Sequence, residues 1–137
     1  MRDVLLVAIG GSLGALTRWG VGLAAAHLFG RGFPWGTLLV NVSGSFVMGI
    51  AMRMLLDLES QPPEALPPAI QTQLALWHKG VALGFLGALT TFSTFSGDTL
   101  RELQAGQPSL ALANIAANVL LSLAAVWCGF VMLRGLE

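Results

Sequence analysis

The residues richest in chemistry form a doubled triplet, Thr91-Phe92-Ser93-Thr94-Phe95-Ser96, which sets hydroxyls and aromatic rings in an otherwise apolar run. Ser and Thr compete with the backbone for hydrogen bonds and weaken a helix. In lipid, a weakened helix is tolerated only where it is packed in protein or lines a cavity. The triplets therefore point to a pore or a binding site, and the helix carrying them is expected to break in mid-membrane. At such a break Phe92 and Phe95 can turn the positive edges of their rings toward an anion, with the Thr94 hydroxyl between them. The other reading of each ring is ordinary packing. A break also frees backbone carbonyls around Gly87 to Thr91, and converging carbonyls can hold a cation such as Na⁺.

Two polar stripes accompany the triplets. Thr37, Asn41 and Ser45 recur at i, i+4 and i+8, as do Asn114, Asn118 and Ser122, so each set shares one helix face. Asparagine is costly in lipid, and each stripe must face a partner or a wet cavity. Hydrogen-bonding between helices accounts for any one of these residues taken singly. Both stripes together with the triplets favour a conduit. Amide and hydroxyl groups can donate to an anion, and a track of neutral, weak sites suits conduction because a site that grips too hard does not release. Arg18 is the one charge well inside a first-pass span; it either draws anions to a vestibule or serves a structural role by snorkelling or by anchoring carbonyls. The single cysteine, Cys128, lies in an apolar run and reads as a small buried hydrophobe.

Absent chemistry narrows the reading further. No span holds a central Asp or Glu, the carboxylate a proton-coupled small exporter would need, and Asp98 lies toward the end of its span. The sequence shows no Ser/His/Asp or Cys/His set, metal-ligand cluster or phosphate loop, which argues against an enzyme. A non-transporting scaffold, with both stripes acting as helix glue, is the third alternative.

The elements that must position these residues follow from composition. Of 137 residues 55% are hydrophobic and 10% charged, where a soluble domain carries about 25%. Mean hydropathy is +0.74. This describes one integral membrane domain over residues 1–137. Seven basic and seven acidic residues cancel, leaving no field that would recruit nucleic acid. A transmembrane helix needs about 20 apolar residues, and four segments qualify: 4–29, 35–56, 76–103 and 110–133. Turns are expected at Gly30 to Pro34 and at Gly106-Gln107-Pro108, and a Pro-rich loop from Asp57 to Gln73 through Pro62, Pro63, Pro67 and Pro68. The N-terminus lacks a signal-peptide cleavage pattern, which is read as direct insertion into an inner or plasma membrane. Arg2, Arg53, Lys79 and Arg134 fall on one side, against Arg31 and Arg101 on the other. This bias is weak; by itself it slightly favours a single orientation, and it also allows insertion both ways. The paired glycines Gly10/Gly14 and Gly80/Gly84 signal close helix packing, with some contacts expected between subunits of a homodimer.

Three blocks resemble the small fluoride channels called Fluc or CrcB: Gly10-Gly11-Ser12-Leu13-Gly14-Ala15 running to Arg18-Trp19; Gly36-Thr37-Leu38-Leu39-Val40-Asn41 running to Gly44 and Gly49; and Gly84-Phe85-Leu86-Gly87 running through Thr90-Thr91-Phe92-Ser93-Thr94-Phe95. The resemblance covers essentially the whole chain. It implies an antiparallel, dual-topology homodimer in the cell membrane, with two separate pores that export fluoride passively. It also implies a broken third helix whose phenylalanines, here Phe92 and Phe95, contribute to the pores. Asn41 takes the family's pore-lining role, and the carbonyls of Gly87 and Thr90 match those that hold a central structural Na⁺. The family's polar track on the fourth helix matches Asn114, Asn118 and Ser122. Here the sequence departs, since the family commonly has Tyr and Ser at the first two positions.

Overall fold

Two glycines and two prolines set where the chain reverses. Gly30 and Gly106 adopt φ of 78° and 72°, the left-handed region open to a residue without Cβ, and end the helices before them. Pro68 and Pro108 open the helices that follow, where the missing N–H costs nothing. The structure, a computed structural model, describes residues 1–60, 62 and 67–133. Helix α1 is Arg2–Phe29 and α2 is Trp35–Glu59. The third span starts with α3, Pro68–Trp77, continues through a wider π-helical stretch, His78–Leu86, and then α4, Gly87–Leu89. After two extended residues it resumes as α5, Phe92–Gln104. The fourth comprises α6, Pro108–Ala116, a π-helical stretch, Ala117–Leu121, and α7, Ser122–Met132. No strand occurs among the described residues.

The four segments, Arg2–Phe29, Trp35–Glu59, Pro68–Gln104 and Pro108–Met132, are long and apolar enough to cross a membrane. Their outward faces carry Leu5, Leu16, Trp19, Leu112, Leu123 and Trp127, all exposed, a surface that fits lipid rather than water. Hydroxyls on these faces are satisfied by their own helix: Ser12 donates to the Ala8 carbonyl, Thr17 to that of Leu13 and Ser43 to that of Leu39, at 2.7–2.8 Å. Cys128 is exposed too, contrary to the buried position expected of it. Its apolar neighbourhood is an outward face of α7, where hydrophobicity does not mean burial within the chain.

The Pro-rich loop is shorter than the sequence suggests. α2 continues past 56 to Glu59, and the third span begins at 68 rather than 76. An Arg53–Asp57 ion pair of 2.8 Å, one turn apart, carries α2 beyond its apolar run. Pro62 and Pro67 stay outside the helices. Pro63 and Arg134 lie outside the described residues.

Glycines bring backbones into contact within the one chain. A Cβ at Gly10 would fall 2.0 Å from the Gly80 carbonyl oxygen, and one at Gly14 would fall 2.2 Å from that of Phe85. The Gly10/Gly14 and Gly80/Gly84 pairs thus fasten α1 to the third span of the same subunit, not to a second copy. A reciprocal pair fastens α2 to α7: a Cβ at Gly49 would meet the Val126 oxygen at 2.1 Å, and one at Gly129 the Phe46 oxygen at 2.1 Å. Between these seams, Val40, Leu86 and Leu89 form the buried core, flanked by Val21, Met48 and Phe85.

Candidate functional site

Thr90 and Thr91 separate α4 from α5 with extended backbone, at φ/ψ of −78°/154° and −154°/118°. Sequence explains why the helix stops and restarts there. Thr91 caps α5, its hydroxyl accepting from the Thr94 N–H at 3.2 Å. Thr90 turns its hydroxyl back to the Leu86 carbonyl at 3.0 Å. Its methyl fits against Gly44, where a Cβ would come within 2.4 Å of it. The Thr91 N–H does not return to the Gly87 carbonyl four residues back; it donates to Asn41 Oδ1 at 2.8 Å. The Thr94 N–H likewise bypasses the Thr90 carbonyl for the Thr91 hydroxyl. The carbonyls of Gly87 and Thr90 therefore lack their i+4 helical donors, and neutral carbonyl oxygens of this kind suit a hard cation.

From Asn41 a ladder of side chains crosses the molecule. Asn41 Nδ2 donates to Asn118 Oδ1 at 2.9 Å and to the Thr91 carbonyl at 3.3 Å. Asn118 Nδ2 donates to Asn114 Oδ1 at 2.8 Å and to the Asn114 carbonyl at 3.2 Å. Asn114 Nδ2 donates to Thr99 Oγ1 at 2.9 Å, and Thr99 donates to the Phe95 carbonyl at 2.9 Å. The ladder begins and ends on the third span and passes through the two polar stripes on the way.

It borders a groove of about 450 Å³, into which α2, the start of α5 and the fourth span bring Asn41, Ser45, Thr91, Phe95, Asn118 and Ser122. Phe92 lies on the groove's rim, 78% exposed, while Phe95 is 7% exposed; their ring centroids are 5.4 Å apart at 59°. The Ser122 hydroxyl is buried without a hydrogen-bond partner among the described residues. None of the groove's lining side chains is ionisable.

A second cavity of about 580 Å³ opens at the end marked by Gly30–Pro34 and Gln107. α5 serves both spaces, bringing Phe92 and Phe95 to the groove and Thr94, Asp98 and Arg101 to this mouth. Thr37 also lines the mouth and donates to Asp98 Oδ2 at 2.7 Å, while Arg101 pairs with Asp98 Oδ1. Arg31 and Arg101, grouped on one side by sequence, share this mouth, and Lys79 pairs with Asp3 elsewhere.

The structure thus brings Asn41, Phe92, Phe95, Asn118 and Ser122 to the groove and Thr37 and Thr94 to the mouth. Asn114, fully buried, lines neither. Arg18, half-buried on α1, also lines neither and has no hydrogen bond or ion pair among the described residues. Two contributors were missed in the sequence reading. Asp98 was set aside as lying near the end of its span, yet it is buried and joins α2 to α5; its signal was Arg101 one turn on. Gly44 seats Thr90, and its signal was its place one turn after Asn41.

Crossing helices around a polar ladder, with an uncharged groove on one side and a charged mouth on the other, define a multi-pass membrane protein built around a buried polar track. Residues 5–130 match the family described as CrcB-like protein, Camphor Resistance (CrcB), and the chain belongs to that family. It is 43% identical over 129 residues to a protein of Shewanella amazonensis named fluoride-specific ion channel FluC, covering 94% of each chain. Proteins of the same name from Vibrio parahaemolyticus and Vibrio cholerae are each 44% identical, over 127 and 124 residues. Those alignments cover 93% and 90% of this chain and 91% and 89% of theirs.

Proposed function

We propose that this chain is a passive, fluoride-selective channel that exports fluoride across the cell inner membrane and so relieves its toxicity. The observation that carries this reading is the groove wall, which offers hydroxyls and aromatic rings but no ionisable side chain. Fluoride is small and strongly hydrated, so moving it into a membrane protein is costly unless donors replace its water. Neutral donors do so without holding the ion too tightly. The same wall lacks the carboxylate that proton-coupled exchange needs, and the chain's relatives are named as ion channels rather than enzymes.

In this account the ring edges of Phe92 and Phe95 face the ion, Asn41 and Ser122 wall the path, and Thr94 receives the ion at the mouth, which Thr37 also lines. Asn118 belongs to the same wall, with Asn114 behind it. Arg18 adds positive potential outside the path. The interruption at Thr90 and Thr91 lies in mid-membrane. Two copies, inserted in opposite senses, pair as an antiparallel homodimer with two pores, and lipid covers the remaining apolar faces. The open rim at Phe92 and the weak Lys/Arg bias support this pairing. A structural Na⁺ would be held at the dimer centre by the Gly87 and Thr90 carbonyls, whose missing helical donors fit that role; it would supply fixed positive charge.

Expression in a bacterium stripped of its own fluoride exporter tests the function. The chain should restore growth in fluoride medium. Membrane-inserted protein that leaves the strain fluoride-sensitive would contradict the reading.

A further inference from the structure

The hydrogen bonds around the groove leave two donors unspent. Both N–H groups of Asn41 are engaged, by Asn118 Oδ1 and the Thr91 carbonyl. Both of Asn118's go to Asn114. The Thr90 hydroxyl is held by the Leu86 carbonyl, and that of Thr91 donates to Thr94 Oγ1 at 3.1 Å. Of the polar side chains lining the groove, only Ser45 and Ser122 make no hydrogen bond among the described residues. Ser45's freedom is a property of its position. Two residues earlier on α2, Ser43 follows the usual course in an apolar setting and donates to the carbonyl one turn back at 2.7 Å. Ser45 has an equivalent carbonyl, that of Asn41, and does not use it.

The orientation of the ladder cannot be reversed to release other donors. Amide O and N positions are assigned from their networks, and here backbone groups fix them. The Thr91 N–H can only donate, so Asn41 Oδ1 must face it. The carbonyls of Asn114 and Phe95 can only accept, which fixes Asn118 and Thr99 in turn.

We propose that Ser45 is a further anion-binding residue, forming with Ser122 a two-hydroxyl subsite in the groove for a dehydrated small anion, while Asn118 and Asn114 act as positioning residues. This rests on the fluoride-channel reading. α2 and α7, which carry the two serines, are locked together by Gly49 and Gly129, so the hydroxyls are presented by a rigid seam. Two neutral donors hold an anion weakly enough for it to move on.

The test uses the full-length protein in liposomes, reading fluoride efflux with the potential clamped by a K⁺ ionophore. Ser45→Ala should slow efflux about tenfold or more, the scale of a hydrogen bond to a charged group. Ser45→Thr, which keeps a hydroxyl, should retain most of the rate, and both variants should melt as the wild type does. In Ser45→Ala/Ser122→Ala the combined loss should fall short of the product of the single losses, because both hydroxyls touch one ion. Wild-type efflux from Ser45→Ala overturns the subsite. Equal slowing by Ala and Thr with lowered melting temperatures overturns it too, by assigning Ser45 to packing. Wild-type protein that releases no fluoride overturns the channel reading itself.

Discussion

At the scale of single residues, the polar ladder is ordered because backbone groups dictate how three asparagines point. The stripes were legible in the sequence, since i, i+4 spacing places Asn114 and Asn118 on one face whatever surrounds them. Their connection was not, because Asn41 and Asn118 are 77 positions apart and meet only after packing. The role of Asp98 was hidden for the same reason: its partner Thr37 is 61 positions away. The fixed ladder makes a sharp prediction for Asn118→Asp. The new carboxylate oxygen would face the two Asn114 oxygens that now accept from Nδ2. The substitution should cost about 3 kcal/mol or more, counting the lost bonds and the buried charge, read as a lower melting temperature in detergent. Phe95→Ile tests the other side of the groove. It keeps most of the buried bulk and removes the ring edge, so fluoride efflux should fall at least tenfold while the protein stays folded; unchanged efflux would remove the ring from the mechanism.

At the scale of elements, the interruption between α4 and α5 is a negotiated fit between helices. Thr91 supplies a cap, Asn41 takes the N–H that would have continued the helix, and Gly44 leaves room for the Thr90 methyl. The doubled triplet signalled weakness in this helix, and the extended residues fall at its leading edge, at Thr90 and Thr91 rather than among the phenylalanines. Span ends were less legible. Apolar runs report what lies in lipid, whereas α2 and α3 extend beyond theirs on an ion pair and a proline start. Close glycine packing was legible as a pattern, but which glycines meet was not. The fit at Gly44 predicts a rescue. Gly44→Ala should push Thr90 out of place and slow fluoride efflux severalfold. Adding Thr90→Ser, which removes the obstructing methyl but keeps the hydroxyl, should restore much of the rate. Failure of the second change to help would mean the obstruction lies elsewhere.

At the scale of the whole molecule, the chain leaves Phe92 exposed on a groove that is open along its rim, and a second, antiparallel copy would close it. Ser60, exposed at the end of α2, offers a site for labelling. In a background lacking Cys128, the only native cysteine, Ser60→Cys should react with membrane-impermeant reagents from both faces of the membrane, about half the copies from each. Reaction from one face alone would contradict the dual topology. The central claim, that an uncharged path carries fluoride passively, is tested most directly by anion efflux from liposomes holding the wild-type protein. With a K⁺ ionophore clamping the potential and no pH gradient imposed, the account predicts rapid fluoride release and chloride release no faster than from empty liposomes. Equal chloride release, or fluoride release that requires a proton gradient, would contradict it.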